Sequence, residues 1–398
     1  MTVEEQRGPR LLPYYLSIAI TMGSLASVVT LLGDLRDEFG LTETEVGIVV
    51  GAGFFTAFIT QLTLGRLADR GHAPAMVRIG MLAAAASMIG FALSNSFFTF
   101  VLARAVLGVA IGLAQPAIRR TVVLADPRHT GRNLGRLGLG EITGFALTPA
   151  LAAALAEVGT LDLPFYVLAA IVVVTLAAMG RLDADGGART TERVSLLDLL
   201  SNRVVTGTLI LVTSQFLMIG AWEAVWAVSL TDLGAETWEI GLSFTLFALP
   251  LGALAPLGGA LAQRSGGVAL CVGGLGSAAV FAVLLGVLDS VWGLIGVSML
   301  MGIGAGFGYT AGLYVFSQTV GDDRQAAAQG VFGATEVLFG GISSVTAARL
   351  YDVSGRGAVW WVMPALSLTV LLFGLALRSG GGVQAVLSER SVGAAPER

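Results

Sequence analysis

The stretch GLTETEVG at residues 40–47 returns as GAETWEIG at residues 234–241. Further along, GRLADR at residues 65–70 returns as GALAQR at residues 259–264, and both pairs are separated by 194 residues. Similarity at one fixed offset indicates a duplicated structural unit. The sequence therefore predicts two homologous halves.

Two further matches follow in the same order along the chain. In the first, Gly108 and Gly112 match Gly302 and Gly306 at the same offset. In the second, the offset is one residue longer, and Gly135, Gly138 and Glu141 match Gly330, Gly333 and Glu336. Four matches in one order are not expected by chance. The duplicated unit therefore extends over about half of the chain.

The composition places both halves in a membrane. Of 398 residues, 55% are hydrophobic and 13% charged, and the mean hydropathy is +0.81; a soluble chain has about 25% charged residues. Because a helix needs about 20 apolar residues to span the hydrocarbon core, the polar breaks separate twelve predicted helices. Their spans are residues 11–33, 45–64, 75–93, 97–119, 133–156, 162–180, 204–230, 239–262, 267–288, 291–319, 325–348 and 358–378. The predicted fold is all-α and polytopic, with two pseudo-symmetric six-helix bundles.

The arginine distribution predicts the orientation and the domain limits. With the N-terminus inside, 19 of the 23 basic residues, Arg119 among them, fall on the cytoplasmic side, where positive residues accumulate. Both termini are therefore expected in the cytoplasm, in a multi-pass protein of the plasma membrane. The N-terminal bundle is predicted over residues 1–180, a linker over 181–203, the C-terminal bundle over 204–378 and a disordered tail over 379–398.

The sequence lacks the residues that several other classes of function require. The chain has no lysine, so the phosphate-binding pattern G-x-x-x-x-G-K-[ST] is absent. The net charge of −4 and the lack of a basic block disfavour nucleic acid as a partner. The two histidines lie in loops and Cys271 is the single cysteine, so we expect no metal, no cofactor and no enzymatic centre. The expected partners are the lipid bilayer, a small-molecule substrate and protons, for a chain that functions as a monomer.

The loop after the second predicted helix identifies a family. Two parallel six-helix repeats are typical of a major class of secondary transporters. Gly65, Leu67, Ala68, Asp69 and Arg70 match the G-x-L-A-D-R pattern in the same loop of the major facilitator superfamily, which the chain therefore resembles over nearly its whole length. The resemblance implies that Gly65, Asp69 and Arg70 form a gating loop, although the usual basic end of the motif is absent here.

Two helices favour a drug exporter within that family. The stretch LARAVLGVAIG, which carries Arg104, resembles the arginine-bearing motif of proton-coupled drug exporters. In the next helix Gly140 and Gly144 fit the exporters' G-x-x-x-G-P-x-x-G-G motif, whereas its proline and its two later glycines are absent. The antiporter motif is therefore incomplete.

Four ionisable residues lie well inside predicted spans, namely Arg104, Glu141, Glu223 and Glu336. Each costs about 2.5–3.5 kcal/mol or more at the bilayer centre, so such residues usually serve a pathway. Glu141 and Glu336 are candidates for binding and releasing a proton or attracting a cation; neutral carboxyl groups that only pack the bundle are the alternative. Arg104 is expected to pair with an acid or to bind an anionic substrate.

Aromatic residues flank one of these acids. Glu223 lies between Trp222 and Trp226, an arrangement that suits an organic cation through charge and cation–π attraction, but equally an interfacial tryptophan belt. Gln215 is a candidate for lining the cavity, with interhelical hydrogen bonding as the alternative. Asp34 is expected in a solvated loop.

The predicted function is secondary active transport, with proton-coupled efflux of a small amphipathic or cationic compound by alternating access. The alternative is a proton-coupled uptake symporter for a sugar or an organic acid. A sensor derived from a transporter is a third interpretation. Mostly apolar helices and deep acids favour the exporter, whereas Arg104 is the argument for an anionic substrate.

Overall fold

A computed structural model describes most of the chain. The described residues are 11–65, 67–125, 130–179, 200–265, 267–320 and 325–392. Most of the predicted linker, residues 181–199, and the last six residues of the predicted tail lie outside this part. Along residues 380–392 only the backbone is described, and it is helical.

The described residues of the first half form six α-helices that cross the bundle and one short α-helix. They are α1 (Leu12–Thr30), the short α2 (Leu32–Phe39), α3 (Glu43–Leu64), α4 (Ala73–Leu93), α5 (Phe97–Ala125), α6 (Thr130–Val158) and α7 (Leu163–Ala178). The second half begins with α8 (Arg203–Thr231), α9 (Thr237–Ser265), α10 (Val268–Leu284) and α11 (Val291–Thr319).

The last helical segment, Gln325–Val392, consists of two helices that meet at Gly355. Its φ of 76° lies in the left-handed region, which glycine enters without steric cost. The break separates α12 (residues 325–354) from α13 (residues 356–392). The described residues therefore contain twelve helices that traverse the bundle, as the sequence predicts, of which α7 and α10 are shorter than a full span.

The repeated stretch marks the start of the second spanning helix in each half. Gly40 and Gly234 are equivalent glycines with φ values of 63° and 79°. After the first of them, Thr42 and Glu45 form a capping box at the start of α3, which satisfies backbone N–H groups that the helix itself leaves unpaired. The duplicated sequence is therefore a turn and a helix cap.

The two halves meet along two pairs of helices. α3 packs against α12, and α6 packs against α9. The first helix, α1, begins and the last, α13, ends at one end of the bundle, because the chain between them crosses it twelve times. We call this end the terminal side and the opposite end the far side. Near the far side the packing leaves no spare room, because a Cβ on Gly47 would lie 2.2 Å from the Cβ of Ala348, and one on Gly241 would lie 2.6 Å from the Cβ of Ala153.

The packing is open near the terminal side. Gly138 on α6 and Gly330 on α12 have no atom within 4 Å of an added Cβ. For Gly333, one turn later on α12, the nearest such atom is Oε1 of Gln61 at 3.8 Å. The halves are therefore in contact at the far side and separated at the terminal side.

Candidate functional site

A buried ion pair joins the two halves. Arg104 Nη2 on α5 lies 3.7 Å from Glu223 Oε2 on α8, with the side chains 2% and 7% exposed. The Nε and Nη1 atoms of Arg104 have no hydrogen-bond partner among the described residues. A Cβ on Gly53 would lie 2.7 Å from Arg104 Nε, so this glycine makes room for the guanidinium group. Of the two roles expected for Arg104, the structure shows the pairing with an acid.

An aromatic cluster adjoins this ion pair. Trp222 stacks on Phe247 at 4.8 Å and meets Phe244 edge-on at 4.8 Å, while Phe145 of α6 approaches it from the other half at 6.3 Å. Trp226 stacks on Trp222 at 5.5 Å. Because the two tryptophans are only 5% and 0% exposed, they lie inside the bundle, and the interpretation as an interfacial belt is wrong.

Two side chains of this cluster differ in their hydrogen bonds. Trp226 Nε1 donates to the hydroxyl of Ser243 at 2.9 Å. The Nε1–H group of Trp222 is buried and has no acceptor among the described residues, although a buried polar group normally has one. Gln215 is buried on the same helix, α8, about 12 Å along the axis from Glu223.

A second ion pair lies nearer the terminal side. Arg119 Nη2 on α5 lies 3.3 Å from Glu141 Oε1 on α6, with the side chains 40% and 26% exposed. Glu336 of α12 and Tyr309 of α11 are within electrostatic range of Arg119. Groups of both halves therefore surround Arg119, and it is nevertheless accessible to solvent. A water-filled cleft between the halves explains both observations.

Glu336 lies between the two ion pairs. It interacts electrostatically with Arg119 and Glu141 on its terminal side and with Glu223 deeper in the bundle. Arg104 and Arg119 lie about 22 Å apart along α5. The four predicted intramembrane residues therefore form one connected set of charges, with Glu336 at its centre.

Arg119 is not among the site residues that the sequence predicts. The fourth predicted helix ends at this residue, and its side chain was expected with the cytoplasmic arginines. The helix α5 instead continues to Ala125, so Arg119 lies inside it, about 9 Å before its end. The apolar run TVVLA at residues 121–125 was the available signal, because it continues the helix beyond the two arginines.

The predicted gating loop lies at the terminal side. Gly65 caps α3, and the chain reverses over residues 68–72, where Gly71 has a φ of 84°. Arg70 is exposed in this turn. Arg66 and the side chain of Asp69 lie outside the described part, so the gating role of Gly65, Asp69 and Arg70 stays a prediction.

An ionic network closes the far side. Arg36 of α2 contacts Asp232 of the other half at 2.6 Å, together with Asp37 at 2.7 Å and Glu43 at 3.1 Å in its own half. The hydroxyl of Tyr351 donates to the second oxygen of Asp232 at 2.7 Å. Burial opposes the charge of Arg36, but the carboxylates of Asp232 and Asp37 outweigh it and raise the pKa of the guanidinium group.

Further contacts between the halves surround this network. Thr237 donates to Asp34 at 3.1 Å, so the expectation of a solvated loop at Asp34 is wrong. Burial raises the pKa of Asp34, although the hydrogen bond from Thr237 opposes the rise. The backbone N–H of Trp238 donates to Glu157 at 2.9 Å. Polar contacts on several helices therefore hold the far side shut.

An apolar groove lies elsewhere in the second half. It has a volume of about 390 Å³ and runs between α10 and α11, where Leu270, Phe281, Leu300 and Phe307 contribute to its walls. None of the charged residues described above lines it. The candidate site is therefore the central cleft between the halves.

Comparison with known proteins identifies the family. The family model of the Major Facilitator Superfamily matches twice, over residues 14–231 and 207–392. The two matches together span nearly the whole chain, and each begins close to the start of one half.

The curated relatives are distant. The quinolone resistance protein NorA of Staphylococcus aureus (strain MSSA476) is 24% identical over 225 residues, or 55% of this chain and 58% of the relative. The chain thus matches little more than half the length of this relative. The fosmidomycin resistance protein of Escherichia coli (strain K12) is 23% identical over 85% of each chain.

Solved structures share the fold at low identity. A variant of the nucleoside transporter NupG is 13% identical, with a TM-score of 0.77 over 92% of this chain and 99% of that one. A bacterial homologue of the human lysosomal transporter Spinster, in an inward-facing and occupied conformation, has 13% identity and a TM-score of 0.75 over 94% and 96%. The sequence repeat, the twelve helices and these matches agree: the chain belongs to the Major Facilitator Superfamily and is a multi-pass membrane protein.

Proposed function

We propose that the chain is a proton-coupled exporter that moves a small amphipathic or cationic compound out of the cell by alternating access. The observation that carries this proposal is the position of Glu336, a carboxyl group inside the bundle with both ion pairs in electrostatic range. Glu336 is only partly exposed, and partial removal from water disfavours an ionised carboxyl group. An acid at the wall of the cleft therefore suits proton binding and release. The resistance named in both curated relatives also supports efflux.

Glu223 and Trp222, deeper in the bundle, suit a cationic cargo. Once released from Arg104, Glu223 would offer a negative charge, and the neighbouring Trp222 would offer an indole face, which attracts cations. A cation bound here would reduce the repulsion between Glu223 and Glu336 and thereby favour proton release from Glu336. Since such coupling is reciprocal, a proton on Glu336 would weaken binding of the cation. This exchange of one positive charge for another is the chemistry of an antiporter.

The orientation of the chain in the membrane and its conformational state follow from the same proposal. The arginine-rich terminal side is the cytoplasmic side of the plasma membrane, so the closed far side faces outward and the structure is inward-facing. Arg119, Glu141 and Glu336 then line the cleft that opens to the cytoplasm. The transport unit is the monomer, because each half supplies part of the charged set.

Uptake of an organic acid would need a free cation in the site. Among the described intramembrane residues, Arg104 is already paired with Glu223, and Arg119 with Glu141. This arrangement favours the exporter over the uptake symporter.

Neutralising the cleft acids tests the coupling. In proteoliposomes with an imposed pH gradient, Glu336→Gln and Glu141→Gln are each expected to reduce proton-driven flux of a cationic dye to the rate of empty liposomes. Glutamine keeps the size of the side chain but cannot exchange a proton, so folding should remain intact. The matched control is Glu38→Gln, which neutralises an exposed acid at the far side and should retain parental flux.

The flux assay tests both the coupling step and the direction of transport. Parental pH-driven flux in both cleft variants would contradict protonation of these acids as the coupling step. Dye movement towards the proton-rich compartment would indicate an antiporter, whereas movement in the same direction as the protons would favour the uptake symporter.

A further inference from the structure

We propose that Arg119 is a positioning residue that exchanges its partner Glu141 for Glu336 when the terminal side closes. The inference rests on alternating access in the proposed function. Arg119 would then form the contact that closes the cleft, although neither the transported proton nor the cargo needs to touch it.

The present partner of Arg119 belongs to its own half. Arg119 on α5 and Glu141 on α6 form their 3.3 Å contact within the first half, so this contact does not hold the two halves together. Both side chains are partly exposed, and an exposed ion pair is worth only about 0.2–1 kcal/mol. The contact can therefore be broken at little cost when a better partner approaches.

The better partner is Glu336 of the second half. It lies within electrostatic range of Arg119, but the ion pair of Arg119 is with Glu141. An added Cβ at Gly138 on α6 or at Gly330 on α12 would meet no described atom within 4 Å, so the terminal ends of both helices have room to move. Closure of the terminal side would use this room and bring Glu336 towards Arg119.

The far side shows the completed form of the same arrangement. There Arg36, also in the first half, contacts Asp37 and Glu43 of its own half and Asp232 of the second half. At each end of the bundle an arginine of the first half thus has at least one acid of its own half beside it and one acid of the second half facing it. At the closed end the facing acid is bound; at the open end it is not yet bound.

The exchange couples closure to the charge of Glu336. An ionised Glu336 attracts Arg119 and favours the closed terminal side, whereas a neutral Glu336 offers Arg119 no charge and leaves it with Glu141. Glu141 therefore acts as a competitor that holds Arg119 in the open state. The two acids, which the sequence repeat makes equivalent, would have opposite effects on closure.

The test is whether substitutions of the two acids shift the closed population of the terminal side in opposite directions. The full chain carries Cys271→Ser, which removes the single cysteine, and spin labels at Thr63→Cys and Gln263→Cys, two exposed positions near the terminal ends of α3 and α9. Electron–electron double resonance in lipid nanodiscs at pH 8, without substrate, measures the closed and open populations. Glu336→Gln and Arg119→Gln should each lower the ratio of closed to open terminal side about fivefold, and Glu141→Gln should raise it.

Further variants separate this exchange from loss of structure. The double variant Arg119→Gln/Glu336→Gln should shift the ratio no more than either single variant, because the two substitutions remove the same contact. Arg119→Lys keeps the positive charge and should restore part of the closed population. Glu38→Gln should leave the ratio unchanged. A decrease or no change in Glu141→Gln, or additive effects of the double variant, would overturn the proposal. The readout needs neither cargo nor a pH gradient, so an incorrect proton coupling would show in the flux assay and not here.

Discussion

Arg104→Met is expected to lower the free energy of unfolding by about 3–5 kcal/mol, because it leaves Glu223 buried without its counter-charge. The pair is almost fully enclosed, at 2% and 7% exposed, so solvent cannot screen the orphaned carboxylate. Methionine fills much of the volume of the arginine stem, which limits any contribution from a cavity. The cost should be smaller at pH 5 than at pH 8, since a protonated Glu223 has no charge to bury.

The double variant isolates the charge effect. Arg104→Met/Glu223→Gln should recover most of the lost stability, since replacing both partners of a buried pair is often neutral or stabilising. The matched control is Arg349→Met, which removes a 63% exposed arginine from its contact with Asp352 and should cost no more than about 0.5 kcal/mol. Unfolding of the purified protein, followed by fluorescence at both pH values, measures all three. Equal stability of Arg104→Met and the parent protein would show that the pair does not hold the bundle.

Arg36→Ala is expected to shift the protein towards the state that is open at the far side. The variant removes the 2.6 Å contact between Arg36 and Asp232, which exists only while the two halves meet there. Asp232 is 37% exposed, so the contact is worth about 1 kcal/mol after screening. The population that is open at the far side should therefore rise about fivefold.

Two buried serines provide the measurement for this shift. Ser344 is 0% exposed and faces Gly51 across the junction of the halves, whereas Ser87 is 1% exposed and bonds to Ala103 inside the first half. In a Cys271→Ser background, Ser344→Cys should react about fivefold faster with a membrane-impermeant thiol reagent when Arg36→Ala is present. Ser87→Cys should stay protected, because a rigid movement of the halves does not expose it.

Arginine 349 again supplies the matched control. It also lies at the far side, but its contact with Asp352 stays within one half, so Arg349→Ala should leave the reactivity of Ser344→Cys unchanged. An equal increase in both arginine variants would mean that charge at the far side, and not the cross-half contact, sets the population. Unchanged reactivity in Arg36→Ala would show that the other contacts keep this side closed without it.

The sequence predicts much of this fold for a physical reason. Twelve apolar runs are readable because hydrocarbon excludes polar residues over the length of a span. The repeat of GLTETEVG is readable because Gly40 and Gly234 both need a left-handed turn before a capped helix. Intramembrane charges are conspicuous for the same energetic reason. These features depend on local sequence alone.

The partners of the charges could not be predicted in the same way. Hydropathy shows that Glu223 lies in a span but not which neighbouring helix it faces, and its partner Arg104 is on another helix of the other half. Asp232 contacts Arg36 across 196 residues of sequence. The burial of Trp222 was equally hidden, because the polar residues of α8 do not gather on one face and so do not orient the helix. Such contacts depend on how the halves pack, which one sequence does not show.

Proton-driven accumulation measures the central claim most directly. Proteoliposomes loaded with a cationic dye are given an inward or outward pH gradient, and net dye flux is compared with exchange of dye at equal pH. We predict that the parent protein moves dye against the direction of proton flow, and that Glu336→Gln exchanges dye at equal pH without responding to the gradient. Dye flux in Glu336→Gln that still follows the pH gradient at the parental rate would contradict the account.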